Sequence, residues 1–238
     1  MNTLAYIANT EPLKENGLYC IAFDSVSAER KEKVKRYRFL KDRVLSLGAE
    51  LLLKKALTDC GITLPEIRYG FENSGKPFIK GLVGVEFNIS HSEEIVMVAV
   101  SENEIGCDIE KVTDIDLDIA KKFFFREEYE NIAAVAASEE RNELFFRYWT
   151  LKESFMKVTG LGIRLPLDSF SIIIGKNGAI GVKQSVDQKN YDFAEIDAFP
   201  GYKCALCVAG KIGGIRVETV DFREILNRQT EYDSKIYA

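Results

Sequence analysis

The sequence predicts an α+β protein of two lobes, a pseudodimer of similar α/β units, each a long helix packed on a mainly antiparallel sheet. Three observations carry this reading. The order of segments repeats, each half running from a strand through a long helix to three or more strands. Both long helices carry an apolar stripe at helical spacing: Leu40, Val44, Leu47 and Leu51 in the first half, Leu144, Tyr148, Leu151, Phe155 and Val158 in the second. And 238 residues suffice for one large domain or two small ones. The seam is placed at residues 103–105, giving lobes 1–104 and 105–238.

A short first strand is expected at 4–7, and a second at 18–23, an apolar run of strand length. One long helix is expected from Ala28 to a stop at Gly61, its stripe widened by Leu52, Leu53, Ala56 and Leu57. Residues 67–71 and 78–79 read as strands on either side of the turn Asn73-Ser74-Gly75-Lys76-Pro77, which puts Lys76 at a tip. The Val- and Ile-rich run 95–100 reads as a strand, 101–104 as a turn, and 105–110 as the return strand. Helices are expected at 117–125, 127–137 and 141–160. The last is apolar nearly all round, which implies burial. Strands follow at 170–174, 180–183, 191–198 and 203–208, with a hairpin turn at Lys176-Asn177-Gly178. One more strand is expected at 217–221, then a polar tail.

An apolar fraction of 46% and a charged fraction of 29% fit a soluble globular protein. The net charge of −5 gives no basis for nucleic-acid binding. No basic segment followed by an apolar run opens the chain, and no stretch approaches the ~20 apolar residues of a spanning helix. A cytoplasmic protein away from the membrane is expected. Its five cysteines should then be free thiols. Cys204-Ala205-Leu206-Cys207 lacks the second cysteine pair of a metal knuckle and reads as buried strand.

Chemistry concentrates in two stretches. In Phe87-Asn88-Ile89-Ser90-His91-Ser92 stands the only histidine of the chain. Shortly after it, Gly106-Cys107-Asp108-Ile109-Glu110 sets Asp108 and Glu110 two apart, on one face of a strand. Such a pair is either a solvated face or a site for a hard divalent cation, which relieves the repulsion. In the helix 141–160, Trp149, Glu153 and Lys157 are four apart and share one side. Glu153 there needs a partner, either Lys157 one turn on or a shared metal. A third feature is basic: Arg30, Lys31, Lys33, Lys35, Arg36, Arg38, Lys41 and Arg43 fall within fourteen residues of an acidic chain. They read as a solvated face or as a surface for an anionic ligand.

These stretches, with Trp149-Thr150-Leu151-Lys152-Glu153-Ser154-Phe155-Met156-Lys157 and Gly160-Leu161-Gly162, resemble the 4′-phosphopantetheinyl transferases of the long, surfactin-synthetase-activating (Sfp-type) group. The resemblance extends to Arg36-Tyr37-Arg38-Phe39, Asp42-Arg43, Gly75-Lys76-Pro77 and Leu165-Pro166-Leu167-Asp168-Ser169-Phe170. Cys107 stands where the family has Ile or Val. The resemblance implies the two-lobed fold of that family and transfer of 4′-phosphopantetheine from coenzyme A to a serine of an apo acyl or peptidyl carrier protein. It implies Mg²⁺, with Mn²⁺ as the alternative, at Asp108, Glu110 and Glu153. It implies Glu153, His91 and Lys157 as catalytic residues, and Arg36, Arg43, Lys76, Ser90, His91 and Lys157 as ligands of coenzyme A. A monomer is implied, and a carrier surface beside Lys121 and Lys122.

Overall fold

The computed structural model describes residues 3–64, 66–72 and 74–227. The first half runs β1 (Thr3–Asn9), α1 (Asn16–Ser25), α2 (Ala28–Arg36), α3 (Leu40–Asp59), β2 (Tyr69–Phe71), β3 (Pro77–Ile79), β4 (Glu86–Ser92) and β5 (Ile95–Ser101). The second runs β6 (Ile105–Lys111), α4 (Leu117–Phe123), α5 (Arg126–Ala133), α6 (Ser138–Val158), β7 (Ser171–Ile174), β8 (Ile180–Lys183), β9 (Tyr191–Ile196), β10 (Tyr202–Ala209) and β11 (Ile215–Val220).

Two sheets organise the chain, one in the order β11-β1-β5-β4 and one in the order β6-β10-β9. Strand alternation divides their side chains among three cores. Leu4, Tyr6, Val96, Val98 and Val100 pack with the buried face of α3. Ala5, Ile7, Ile95, Met97 and Ala99 pack instead with Ile105, Cys107, Ile109, Cys204, Leu206 and Val208 of the second sheet. Ala205, Cys207 and Phe193 turn the other way, into a core with Leu151 and Phe155 of α6. The layers are therefore helix, sheet, sheet, helix. Cys204 and Cys207 fall in different cores, as strand residues three apart must, and all five cysteines are free thiols.

Alternation along β6 sends Cys107 and Ile109 into the central core, so Gly106, Asp108 and Glu110 face α6. The glycine is dictated by contact. A Cβ at position 106 would lie 2.0 Å from the Ser154 carbonyl oxygen and 2.5 Å from the Val158 nitrogen. Helix backbone thus rests directly on strand backbone, and this close approach sets the height of Glu153 and Lys157 over the strand.

Adjacent residues of α6 do opposite jobs, since each step turns ~100° about the axis. Lys152 is fully buried, its ammonium 2.7 and 2.8 Å from the two Glu128 oxygens and 2.9 Å from the Phe170 carbonyl. Glu128 also accepts from the Phe125 and Ile172 amides. This ion pair has every lone pair in use, which is what a charge in the core requires. It ties α5, α6 and β7 together and leaves Glu153 to point elsewhere.

Four expectations are corrected. Residues 18–23 belong to helix α1, where Tyr19 and Phe23 stack one turn apart at 6.2 Å; a short apolar run does not distinguish the two states by periodicity. The long basic helix is two helices, broken at 37–39, and Arg43 ties the break by donating from Nε to the Tyr37 carbonyl at 2.9 Å. Leu40, at the break, is 45% exposed and leaves the stripe. Third, β6 is no hairpin partner of β5: it pairs with β10 and starts the second sheet, because its apolar side is needed in the central core. Fourth, the chain from 215 onward returns to the first lobe. There β11 pairs in parallel with β1, and Val220, Phe222 and Leu226 join the core under α3. The chain after Asp221 continues as helix over 222–227; the remainder of the expected polar tail lies outside the described residues. Residues 86–92, for which no strand was expected, form β4.

Gly106→Ala tests the strand-to-helix contact. The atoms in the way are backbone and cannot rotate aside, so the cost should reach the upper end for overpacking, about 3 kcal/mol or more. Urea unfolding of the variant checks this; a loss under about 1 kcal/mol would mean that α6 lifts freely from β6.

Candidate active site

The site forms where β4 runs beside β6. Three alternate side chains of β4 accept from three alternate amides of β6. Asn88 Oδ1 accepts from the Cys107 amide at 2.9 Å, Ser90 Oγ from Ile109 at 3.4 Å and Ser92 Oγ from Lys111 at 3.1 Å. Carbonyls on the same edge take lysines: Ile105 from Lys76 Nζ at 3.4 Å, Cys107 from Lys157 Nζ at 3.1 Å. Unpaired backbone groups of a buried edge are costly, and here side chains replace the missing strand. The two serines do more, because each also donates its hydroxyl proton to a carboxylate. Ser90 donates to Asp108 Oδ1 at 2.8 Å and Ser92 to Glu110 Oε2 at 2.7 Å.

Helix α6 supplies the opposite wall. Lys157 Nζ lies 2.6 Å from Asp108 Oδ1 and 2.9 Å from Ser90 Oγ. Lys157 thus pairs with Asp108 and not with Glu153. Glu153 forms no hydrogen bond or ion pair among the described residues and faces a cavity of about 300 Å³. That cavity is lined by Ser90, His91, Asp108, Glu110, Trp149, Glu153 and Lys157 together with Ile89. Trp149 stacks on Phe145 at 5.7 Å, which fixes the apolar end of the wall.

Burial raises the proton affinity of the three carboxylates in this small cavity, and neighbouring carboxylates add to it for Glu110 and Glu153. Burial pushes Glu110 up to about 7, and Asp108 and Glu153 add to the shift against the Ser92 hydrogen bond and Lys157. Burial likewise raises Asp108, opposed by Lys157 and Ser90, and raises Glu153, with Asp108 adding. For Lys157 burial acts downward, yet Asp108 beside it leaves the ammonium above its ordinary value. His91 sits below its usual value, through loss of solvent around the ring and then the positive Lys157.

A divalent cation fits this donor set. Asp108 Oδ2 is a buried oxygen with no hydrogen-bond partner, and three hard oxygen donors line one cavity. Among the described residues no three His, Cys, Asp or Glu side chains already converge on one point. Asp108 is fixed by Ser90 and Lys157, and Glu110 by Ser92, so a cation held here would draw Glu153 toward it.

A second, larger cavity of about 1000 Å³ adjoins the first, with Ile89 and His91 lining both. Its wall is of mixed charge, with Arg30, Lys33 and Arg36 alongside Glu29, Glu32 and Asp42, and carries Tyr37 beside apolar Leu45, Phe71 and Pro77. The eight basic residues therefore separate. Arg30, Lys33 and Arg36 line the cavity, Lys31 donates to the Asp24 carbonyl, Lys35 pairs with Glu32 and Arg38 stands over the Phe39 ring. Arg30 is buried against Glu50 at 3.0 Å, and Lys41 pairs with Glu93 at 2.6 Å. Arg43 is held by the Tyr37 carbonyl and lines neither cavity, and Lys76 points at the Ile105 carbonyl on the edge of the site. Of the residues expected at the site, Ser90, His91, Asp108, Glu110, Glu153 and Lys157 come together, Arg36 stands next door, and Arg43 stands apart. The sequence reading gave no role to Asn88 or Ser92; their alternation with Ser90 was the signal available.

A family model described as the 4′-phosphopantetheinyl transferase superfamily matches residues 104–207. One described as 4′-phosphopantetheinyl transferase, N-terminal, matches residues 11–103. The chain is 36% identical over 185 residues to the 4′-phosphopantetheinyl transferase ffp of Bacillus subtilis, covering 77% of this chain and 82% of that protein. It is 33% identical over 202 residues to the 4′-phosphopantetheinyl transferase Sfp of Bacillus subtilis strain 168, covering 84% and 90%. It is also 33% identical over 206 residues to the 4′-phosphopantetheinyl transferase gsp of Aneurinibacillus migulanus, covering 85% of each.

The proton affinity of Glu110 sets a pH dependence. Its folded value, about 7, lies above the ordinary 4.5. Its contribution to stability is therefore fully present below the ordinary value and is lost as pH rises through about 7. In cation-free buffer, Glu110→Gln should melt higher than wild type at pH 8 and equally at pH 4.5. Melting curves at the two pH values check this; a gap of the same size at both would assign the effect to something other than ionisation.

Proposed function

The chain belongs to the 4′-phosphopantetheinyl transferase superfamily, and from that membership and the geometry of the cavity we propose how its residues share the reaction. The activity is transfer of 4′-phosphopantetheine from coenzyme A to a serine of an apo acyl or peptidyl carrier protein, yielding holo-carrier and 3′,5′-ADP. Such transfer activates carriers of fatty-acid, polyketide or non-ribosomal peptide synthesis. The observation that carries the assignment of roles is the grouping of Ser90, His91, Asp108, Glu110, Glu153 and Lys157 around one cavity that opens beside a larger one.

The larger cavity suits the nucleotide end of coenzyme A. Lys33 and Arg36 offer charge to its phosphates, beside Glu29, Glu32 and Asp42 in the same wall, and Phe71, Pro77 and Leu45 offer apolar contact; Lys76 is assigned to the same end on the strength of the family resemblance, although it lines neither cavity. The pyrophosphate would then lie in the small cavity. Lys157 and His91 stand there as donors to its oxygens, and Lys157 is kept charged by Asp108. Bound at Asp108, Glu110 and Glu153, Mg²⁺ or Mn²⁺ would neutralise charge on the phosphates.

The carrier serine attacks the phosphorus that bears pantetheine. A new bond forms from its Oγ to phosphorus, the bond to the 3′,5′-ADP oxygen breaks, and the serine proton must leave. Glu153 is the base that suits this step. It faces the cavity without a hydrogen-bond partner among the described residues, and its proton affinity is raised by burial and Asp108. Arg43, whose Nε donates to the Tyr37 carbonyl, ties the α2–α3 break and lines neither cavity; the resemblance is what supports it as a further ligand of coenzyme A.

The carrier would dock beside α4, where Phe123 is 44% exposed under the Lys122 ammonium at 5.1 Å while Phe124 is buried. We place the lobe boundary near residue 104, with residues 215–227 counted with the first lobe. We place the protein in the cytoplasm as a monomer, as its resemblance to the long two-lobed group implies; its free cysteines suit a reducing compartment.

Glu153→Gln tests the assignment of the base. Its amide keeps shape and hydrogen bonding but takes no proton, and loss of a general base typically costs ~10²–10⁴-fold. The mass gain of an apo carrier, followed against time with coenzyme A and Mg²⁺, should slow by at least a hundredfold in kcat while coenzyme A binding changes little. A rate within tenfold of wild type would remove Glu153 as the base.

A further inference from the structure

We infer that Ser92 is a positioning residue: it aims the Glu110 carboxylate into the small cavity and so sets cation affinity from the opposite lobe. The inference rests on the reading of Asp108, Glu110 and Glu153 as the cation site.

The two strand carboxylates are held unequally. Asp108 is 3% exposed and its Oδ1 takes both Ser90 Oγ and Lys157 Nζ. Glu110 lies nearer the rim, has one more rotatable bond, and among the described residues accepts one hydrogen bond, from Ser92 Oγ at 2.7 Å. A partly buried glutamate without that bond would have more rotamers open to it, which a cation would have to order at an entropic cost.

Ser92 is fit for the task because its own geometry is fixed. The Lys111 amide donates to its oxygen at 3.1 Å, so the hydroxyl proton is left for the carboxylate. Strand β4 places Ser92 two residues beyond Ser90, as β6 places Glu110 two residues beyond Asp108. The same pairing is thus made twice, once deep and once at the rim. Asn88, the third residue of the row, bonds the Cys107 amide and reaches no carboxylate. Positioning partners of metal ligands typically alter affinity 10–100-fold.

The test titrates Mn²⁺ into the cation-free, full-length protein and reads free Mn²⁺ by electron paramagnetic resonance. Wild type, Ser92→Ala, Ser92→Thr and Glu110→Gln are compared, each first checked for a cooperative melt. Ser92→Cys, similar in volume with a weak donor, replaces Ser92→Ala if that variant does not fold. The expected result is at least tenfold weaker binding in Ser92→Ala with Ser92→Thr within threefold of wild type, since the hydroxyl is retained. Affinity within threefold of wild type in Ser92→Ala, or an equal loss in Ser92→Thr, overturns the proposal. Glu110→Gln separates the two levels: if it too binds Mn²⁺ like wild type, the cation site itself is wrongly placed; if it alone loses affinity, only the role of Ser92 fails.

Discussion

The free edge of β6 is the constraint on which the rest depends. A strand that closes a sheet presents a row of amides and carbonyls with no strand to receive them. Here that row is buried between the lobes and is satisfied by side chains: Asn88, Ser90 and Ser92 take the amides, and Lys76 and Lys157 take the carbonyls. Chemistry follows from this construction. Of the groups that close the edge, Ser90, Ser92 and Lys157 have donors left over, and these go to Asp108 and Glu110 at the cavity between β6 and α6. Holding the two lobes together and building a site rich in donors and carboxylates are one operation.

The price is visible in the electrostatics. Three carboxylates share the cavity with one ammonium that is already committed to Asp108, and all three hold their protons more tightly than in water. Elsewhere the fold handles buried charge differently: Glu128 with Lys152, and Glu50 with Arg30, are paired and fully hydrogen-bonded. Contrast between these closed pairs and the open cavity, with its partnerless Asp108 oxygen, distinguishes scaffold from site. Residues 152 and 153 carry that contrast side by side in the sequence, one locked in the core and one facing the cavity.

Much of this was legible beforehand, for physical reasons. Alternation put Asp108 and Glu110 on one face, and period four put Trp149, Glu153 and Lys157 on one side of a helix; both patterns depend only on local geometry. The strands from 170 to 208 were equally legible, because apolar runs bounded by Gly and Asn leave little choice. What failed was non-local. Residues 18–23 gave no period long enough to separate helix from strand. The fate of β6 was decided by the central core, and that of β11 by the edge of a sheet more than two hundred residues earlier in the chain. Ser92 was visible in the motif but its role was not, since the amide and the carboxylate it joins both lie on another strand.

Amide exchange along β6 tests the dependence on that edge most directly. Hydrogen exchange followed by NMR resolves the Cys107, Ile109 and Lys111 amides, which in this account are bonded to side chains of β4. They should exchange as slowly as the β6 amides that face β10, at least for Cys107 and Ile109, and only through opening of the lobes. Exchange at the rate of an open edge strand, while the β10 side stays protected, would contradict the account, because the seam would then be closed by something other than Asn88, Ser90 and Ser92.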